Sequence, residues 1–223
     1  MQPELFLVDY PPTAKYAEDA CTGALEYDFD KMERCPKCGQ PVSSGYWMRP
    51  REIVLTSRKL PDFLYVYCDG GKFLLSERAL NAIREAGLTG ILHAEEIEHI
   101  RFQRKAKKEV PIPKYYHIEL ARSRIAIDHE HSQIIYGDVH EERRCPLCDP
   151  RAATMDFIRR LAFHTAEYEG YDIFHTYETG GWMFLSRRFV DVCEAQKLTN
   201  LHYKPADKHE THFAAEFFAD EET

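Results

Sequence analysis

Two Cys-Pro-x-Cys motifs, widely separated in the chain, constrain this protein more than any other sequence feature. They are Cys35-Pro36-Lys37-Cys38 and Cys145-Pro146-Leu147-Cys148, and corresponding cysteines are offset by 110 in the numbering. A CxxC turn places two sulfur atoms on one side of a tight loop, and two such turns supply the four thiolates of a tetrahedral structural zinc site. The sequence therefore predicts a Zn²⁺ clasp between distant segments, held by Cys35, Cys38, Cys145 and Cys148.

Two other interpretations of the cysteines remain open. Cys21 precedes His131 by the same offset, so each motif could recruit a third ligand and form a separate mixed-ligand site. A Cys-Pro-x-Cys pair can also act as a redox dithiol, although that motif normally opens a helix and the residues after Cys38 lack a helical pattern.

The offset between the motifs also aligns other segments without a gap. Five segments of the first half match the second half in this register, and the longest aligned pair is 62–71 with 172–181. A shared register over five segments favours an ancient tandem duplication over chance. We interpret the chain as an α+β protein of two similar halves, residues 1–110 and 111–223, with mostly antiparallel sheets. The two CxxC turns, which we call the first and the second knuckle, would clasp these halves together.

Each half is expected to contain the same elements in the same order. An opening strand precedes the knuckle, and a strand, a Gly-Gly turn, a second strand, a helix and a closing strand follow it. Ser76 and Ser186 are the expected N-caps of the two helices, and Gly87 is the expected C′ residue of the first. The second half differs by a stretch, Met155 to Tyr168, whose pattern predicts an additional helix.

The charge balance limits the partners of this protein. Lys and Arg total 29 and Asp and Glu total 37, a net charge of −8. This charge disfavours nucleic acid as the main partner and favours a basic protein. Six acidic residues fall in the segment 207–223, interleaved with three phenylalanines. The pattern favours a terminal helix that packs its phenylalanines onto the protein and ends in a frayed acidic segment. The alternative is a partner-binding tail, for which we select four candidate residues: Glu216, Asp220, Glu221 and Glu222.

Other sequence features predict a non-enzymatic protein of the cytoplasm. The N-terminal residues lack the basic and apolar regions of a signal peptide, and no apolar run is long enough to span a membrane. His129 and His131 share the face of an expected strand, and His209 and His212 have helical spacing, but neither pair has an evident third ligand. Phosphate-binding loops and nucleophile motifs are missing from the sequence.

The paired motifs and the unit from Ile173 to Leu201 resemble the bacterial double-CXXCG motif proteins. The closing unit also resembles another group of immunity proteins to polymorphic toxins. The first motif is followed by Gly39, whereas Asp149 stands where the second should have glycine. The resemblance implies a cytoplasmic protein that neutralises a cognate toxin by binding it, with a structural role for the motif cysteines.

Two further functional hypotheses come from other classes. A basic run, Arg101 to Lys108, would suit a zinc-ribbon-like adaptor that binds nucleic acid or regulates another protein. A metal-dependent hydrolase using His129, His131 and an acidic residue is the less favoured of the two.

Overall fold

In the computed structural model, the described residues form short strands and two α-helices, joined by turns and loops. The described residues are 3–8, 20–22, 27–43, 45–56, 58–66, 72–103, 111–136, 145–148, 155–179 and 181–208. The strands of the first half are β1 (Leu5–Val8), β2 (Ala20–Thr22), β3 (Tyr27–Asp28), β4 (Tyr46–Trp47), β5 (Glu52–Leu55), β6 (Phe63–Val66), β7 (Lys72–Ser76), β8 (Ile91–Glu96) and β9 (His99–Phe102). The strands of the second half are β10 (Tyr115–Leu120), β11 (Arg122–Ser123), β12 (Ala126–Ile127), β13 (Gln133–Tyr136), β14 (Met155–Arg160), β15 (Phe163–His164), β16 (Ile173–Thr176), β17 (Met183–Ser186) and β18 (Tyr203–Pro205). The helices are α1 (Glu77–Glu85) and α2 (Arg187–Ala195).

These strands form two principal sheets and three small ribbons. The first sheet has seven strands in the order β8-β10-β7-β6-β2-β5-β9, and the second has five in the order β11-β16-β17-β1-β18. The ribbons pair β12 with β15, β13 with β14, and β3 with β4. Most neighbouring strands are antiparallel, as the sequence predicts; the parallel pairs are β2–β6, β5–β9 and β11–β16.

The seven-stranded sheet is curled, because its two edge strands are consecutive in the chain. Only Ile97 and Glu98 separate β8 from β9. In a flat sheet the edges would lie about 29 Å apart, whereas three residue steps span at most about 11 Å. The N–H of Ile97 continues the ladder to β10, and the N–H of His99 donates to the carbonyl of Arg51 beside β5. The concave side encloses a buried apolar cluster that includes Trp47, Leu64 and Tyr115.

The opening strand of each half lies in the sheet built by the other half. β1 pairs with β17 and β18, and β10 pairs with β7 and β8. The registers correspond, since Leu5 lies opposite Ser186 and Tyr115 lies opposite Ser76. This exchange ties the two ends of the described chain together, so neither principal sheet is built from one half alone.

The two helices share one apolar core between the sheets. α1 buries Ala79, Leu80 and Ile83, and α2 buries the residues at the corresponding positions, Phe189, Val190 and Cys193. The predicted N-caps are confirmed, because the Ser76 and Ser186 hydroxyls accept the N–H groups of Ala79 and Phe189. Gly87 has a φ of 61°, as expected for a left-handed residue after α1.

A buried carboxylate anchors each helix start and also reaches the other half. Asp62 accepts hydrogen bonds from the Ser76 hydroxyl at 2.8 Å and from the N–H of Thr199 at 2.9 Å. Asp172 accepts from Ser186 at 2.8 Å and from the N–H of Thr89 at 2.9 Å.

Two arginines complete this arrangement. Arg78 pairs with Asp62 and donates to the carbonyls of Gln196 and Lys197. Arg188 pairs with Asp172 and donates to the carbonyls of Ala86 and Gly87. Every partner in one network has its counterpart in the other at the offset that separates the CxxC motifs. The contacts thus recur in the register seen in the sequence, while a duplication and a division at residue 110 stay predictions.

Two sequence-based expectations are wrong. Residues 155–168 form β14, β15 and a short 3-10 turn rather than a helix. Pairing with β13, in which Ile158 lies opposite Ile134, and burial of Ile158 outweigh the helical spacing of the apolar residues. His129 and His131 occupy a turn after β12 rather than a strand face, and the Asp128 carboxylate accepts the N–H of His131 in that turn.

We predict that Asp62→Asn lowers the free energy of unfolding by about 2 kcal/mol at neutral pH, since it weakens several buried hydrogen bonds at once. Burial opposes ionisation of Asp62, but Arg78, Thr199 and Ser76 hold its carboxyl pKa below the ordinary value of 3.8. The stabilisation is therefore present above about pH 4 and lost as the pH falls through the folded pKa. Denaturant unfolding between pH 7 and pH 2 measures this effect.

Asp172→Asn should cost a similar amount at pH 7, because its hydrogen-bond distances match. The control is Asp207→Asn, which changes an exposed carboxylate. Equal stability of wild type and Asp62→Asn across this pH range would contradict the proposed role of the network.

Candidate metal centre

The first knuckle lies at the tip of a short hairpin. The N–H of Val42 donates to the carbonyl of Glu33, and the N–H of Cys35 donates to the carbonyl of Gln40. Gly39 closes the turn by donating its N–H to the Cys35 carbonyl, and its φ of 74° is a left-handed conformation that glycine adopts without strain. The hairpin therefore aims the Cys35 and Cys38 side chains in one direction.

The second knuckle is a compact turn over residues 145–148. The N–H groups of Cys148 and Leu147 hydrogen-bond to the sulfur of Cys145. In the first knuckle the N–H of Gln40 points in the same way at the sulfur of Cys38. Such N–H groups favour thiolates over thiols. At Cys38 the N–H of Gln40 lowers the pKa of the thiol, but burial and the contacts with Cys145 and Cys35 raise that pKa above its ordinary value. Asp149, which replaces the expected glycine, lies outside the described residues.

The four sulfur atoms converge on one point. All lie within 4.8 Å of one another, with 3.8 Å between Cys35 and Cys145 and 3.3 Å between Cys38 and Cys148. A tetrahedral zinc with Zn–S bonds of about 2.3 Å requires S···S distances of about 3.8 Å. Disulfide sulfurs would be about 2.05 Å apart, and the cysteines are free thiols. The residues present therefore fit a four-coordinate thiophilic metal ion.

Burial and the close approach of the four sulfur atoms oppose ionisation of these thiols unless a cation is bound. Burial tends to raise the pKa of Cys145, but its two N–H donors and the neighbouring thiols lower the pKa to about 7. Burial and the other three cysteines raise the pKa of Cys148. One thiolate therefore forms readily and opposes ionisation of the others. A divalent metal ion removes this opposition, because four thiolates need positive charge at their centre.

A buried arginine lies beside the centre. The side chain of Arg122 is 4% exposed, pairs with Glu33 at 2.9 Å and donates to the carbonyl of Thr176. Its guanidinium lies 5.8 Å from the ring centroid of Tyr177, and this ring packs against the cysteine cluster. A dication with four thiolates carries a net charge of −2 and would attract the guanidinium of Arg122, while the paired carboxylate of Glu33 offsets part of this attraction.

The other predicted site residues lie elsewhere. His131 is exposed and bonds the Asp128 carboxylate at 2.8 Å, and it is not part of the cysteine group. The side chain of Cys21 and the candidate partner-binding residues Glu216, Asp220, Glu221 and Glu222 fall outside what the structure describes, as do His209 and His212. Of the basic run, Arg101 pairs with Glu52 at 2.6 Å, and residues 104–108 are not described.

Sequence reasoning missed two buried ionic features. Arg51 is fully buried and pairs with Glu95 at 2.5 Å, although charged residues are rarely placed in a core. The networks of Asp62 and Asp172 were also missed. The ungapped alignment contained their signal, because both aspartates and both helix-capping serines occupy corresponding positions.

In the described part of the chain, no helix is long and apolar enough to cross a membrane.

The fold and the cysteine cluster define a mainly β protein whose distant segments meet at one candidate metal centre. Residues 44–208 match the model of the immunity protein family Imm11, and the chain belongs to that family. The predicted relationship to immunity proteins is thereby confirmed, while the double-CXXCG resemblance stays an expectation. Curated proteins give no match.

We predict one zinc ion per chain, measured by metal analysis of the purified protein. Cys35→Ser and Cys145→Ser should each remove the metal and lower the Tm by similar amounts, about 10 °C or more, because each breaks the same four-ligand site. Cys193→Ser is the matched control, since Cys193 is buried in the shared core away from the cluster. Two zinc ions per chain, or none with all thiols reduced, would overturn the shared site.

Proposed function

We propose that this protein is an immunity protein that binds and neutralises a cognate bacterial toxin in the cytoplasm and catalyses no reaction of its own. The observation that carries the proposal is membership of the Imm11 family over residues 44–208, about three quarters of the chain. The family name implies a toxin as partner in general terms.

The charge of the chain supports recognition by binding. A net charge of −8 favours the approach of a basic protein, and toxins that cleave nucleic acid tend to be basic. Electrostatic attraction of this kind increases the association rate more than it strengthens the final complex. The acidic residues Glu216, Asp220, Glu221 and Glu222 are proposed to contribute to this attraction.

We assign the metal centre a structural role, with Zn²⁺ as the ion held by Cys35, Cys38, Cys145 and Cys148. When bound, the ion supplies a rigid cross-link between two distant segments and no chemistry. The family match begins at residue 44, so it includes the second knuckle and not the first.

The nucleic-acid adaptor is less well supported. Its main sequence feature was the basic run from Arg101 to Lys108, and Arg101 already pairs with a carboxylate. A zinc-stabilised protein with an acidic surface would also repel phosphates at long range. Binding of DNA or RNA more tightly than the toxin would nevertheless replace the immunity proposal.

We predict that co-expression of this protein restores growth to cells that express the toxin encoded by the neighbouring gene. The control is an unrelated acidic protein of similar size at matched expression, which should give no protection. Failure to protect, with both proteins present in soluble form, would contradict the proposed function.

Binding kinetics provide a second test of the proposal. Raising the salt concentration should slow association with the toxin at least several-fold and change dissociation much less, because screening acts on the long-range attraction. A chain shortened by deletion of 209–223 should show a weaker salt dependence. If that deletion changes neither rate, the role proposed for the acidic segment is wrong and the immunity function still stands.

A further inference from the structure

We propose that the four-cysteine centre is also an oxidation site, at which a peroxide joins Cys38 to Cys148 through a disulfide bond. This reaction would exchange a metal clasp for a covalent one between the same two knuckles. The choice of Cys38 and Cys148 rests on the positions of the cysteines, whereas the thiolate state of Cys38 and the accompanying release of zinc rest on the proposed metal site.

Exposure distinguishes Cys38 from the other members of the cluster. Cys38 is exposed, whereas Cys35, Cys145 and Cys148 are 2%, 6% and 8% exposed. Oxidants attack thiolates that they can reach, and a metal-bound cysteine is already a thiolate. Cys38 is therefore the sulfur at which peroxide oxidation begins.

The packing of the sulfurs selects the second cysteine. The sulfur of Cys38 lies 3.3 Å from that of Cys148, in direct contact, and the sulfurs of Cys35 and Cys145 are 3.8 Å apart. Both contacts join one knuckle to the other rather than the two cysteines of one motif. A cysteine that touches the oxidised sulfur is well placed to resolve it, so we expect a bond between the motifs.

The reaction is a balanced two-electron oxidation. The thiolate of Cys38 attacks one oxygen of the peroxide, the O–O bond breaks, and a sulfenic acid and hydroxide form. The thiolate of Cys148 then attacks the Cys38 sulfur, forming the S–S bond and releasing a second hydroxide. Two thiolates lose two electrons in total, hydrogen peroxide gains them, and solvent protons convert both hydroxides to water.

The oxidised chain would lose its metal ion, but the two knuckles would remain joined, now by a disulfide bond. Oxidation leaves only Cys35 and Cys145 as thiolate ligands, too few for a structural zinc site. The new disulfide closes a loop of about 110 residues, and cross-links that close long loops strongly restrict the unfolded chain. The scaffold would therefore remain joined at the same place under oxidising conditions.

The test uses the full-length protein as purified, treated with graded hydrogen peroxide. Zinc release is followed with a coloured chelator, and disulfides are mapped by mass spectrometry of peptides over all seven cysteines. We expect Cys38–Cys148 to be the main linkage, to form together with zinc release, and to be reversed by dithiothreitol. A main linkage of Cys35 to Cys38 or of Cys145 to Cys148, or oxidation without a cross-link, would overturn the proposal.

Two variants sharpen this experiment. Cys148→Ser removes the sulfur in contact with Cys38, so dimedone labelling of a sulfenic acid at Cys38 should increase over the wild type, whereas the buried Cys193 should not be labelled. Cys193→Ser should form the same linkage as the wild type. If the protein contains no zinc, the peptide map still decides the linkage, and toxin protection plays no part in the result.

Discussion

Four cysteine sulfurs lie within 4.8 Å of one another, and as thiolates they would repel one another strongly unless a cation lies at their centre. At an effective dielectric constant of about 20, each pair of unit charges at about 4 Å costs about 4 kcal/mol. Hydrogen bonds from the knuckle N–H groups can support one thiolate, at Cys145, and burial with neighbouring thiols opposes ionisation of Cys148. A dication at the centre would turn the same four groups into a cross-link between distant segments.

Such a cross-link would act on a chain in which the elements before and after residue 110 are already interwoven. The opening strands are exchanged between the sheets, α1 and α2 share one core, and Asp62 and Asp172 each bond a threonine in the other half. These interactions recur at the spacing of the two CxxC motifs. Two sulfur contacts, Cys35 with Cys145 and Cys38 with Cys148, join corresponding cysteines of the two motifs. This is expected if a local two-fold axis through the centre relates the motifs.

Local signals in the sequence predicted the features that depend on a few residues. The cysteine spacing indicated the convergence of both knuckles, and Ser76 and Ser186 marked the starts of two nine-residue helices. Tertiary contacts decided the features that were missed. The stretch at 155–160 forms a strand because β13 lies beside it, and the curl of the seven-stranded sheet follows from Ile97 and Glu98 alone joining its edges. Exchange of the opening strands requires pairing over long sequence separations, which no local pattern records.

Binding of one zinc ion by all four motif cysteines would account for these observations together. X-ray absorption at the zinc edge of the purified protein measures the ligand atoms directly, by their number, type and distance. The account predicts four sulfur ligands at about 2.3 Å and no nitrogen or oxygen ligand. A zinc environment with two or three sulfurs completed by nitrogen or oxygen atoms would contradict the shared clasp and favour separate mixed-ligand sites.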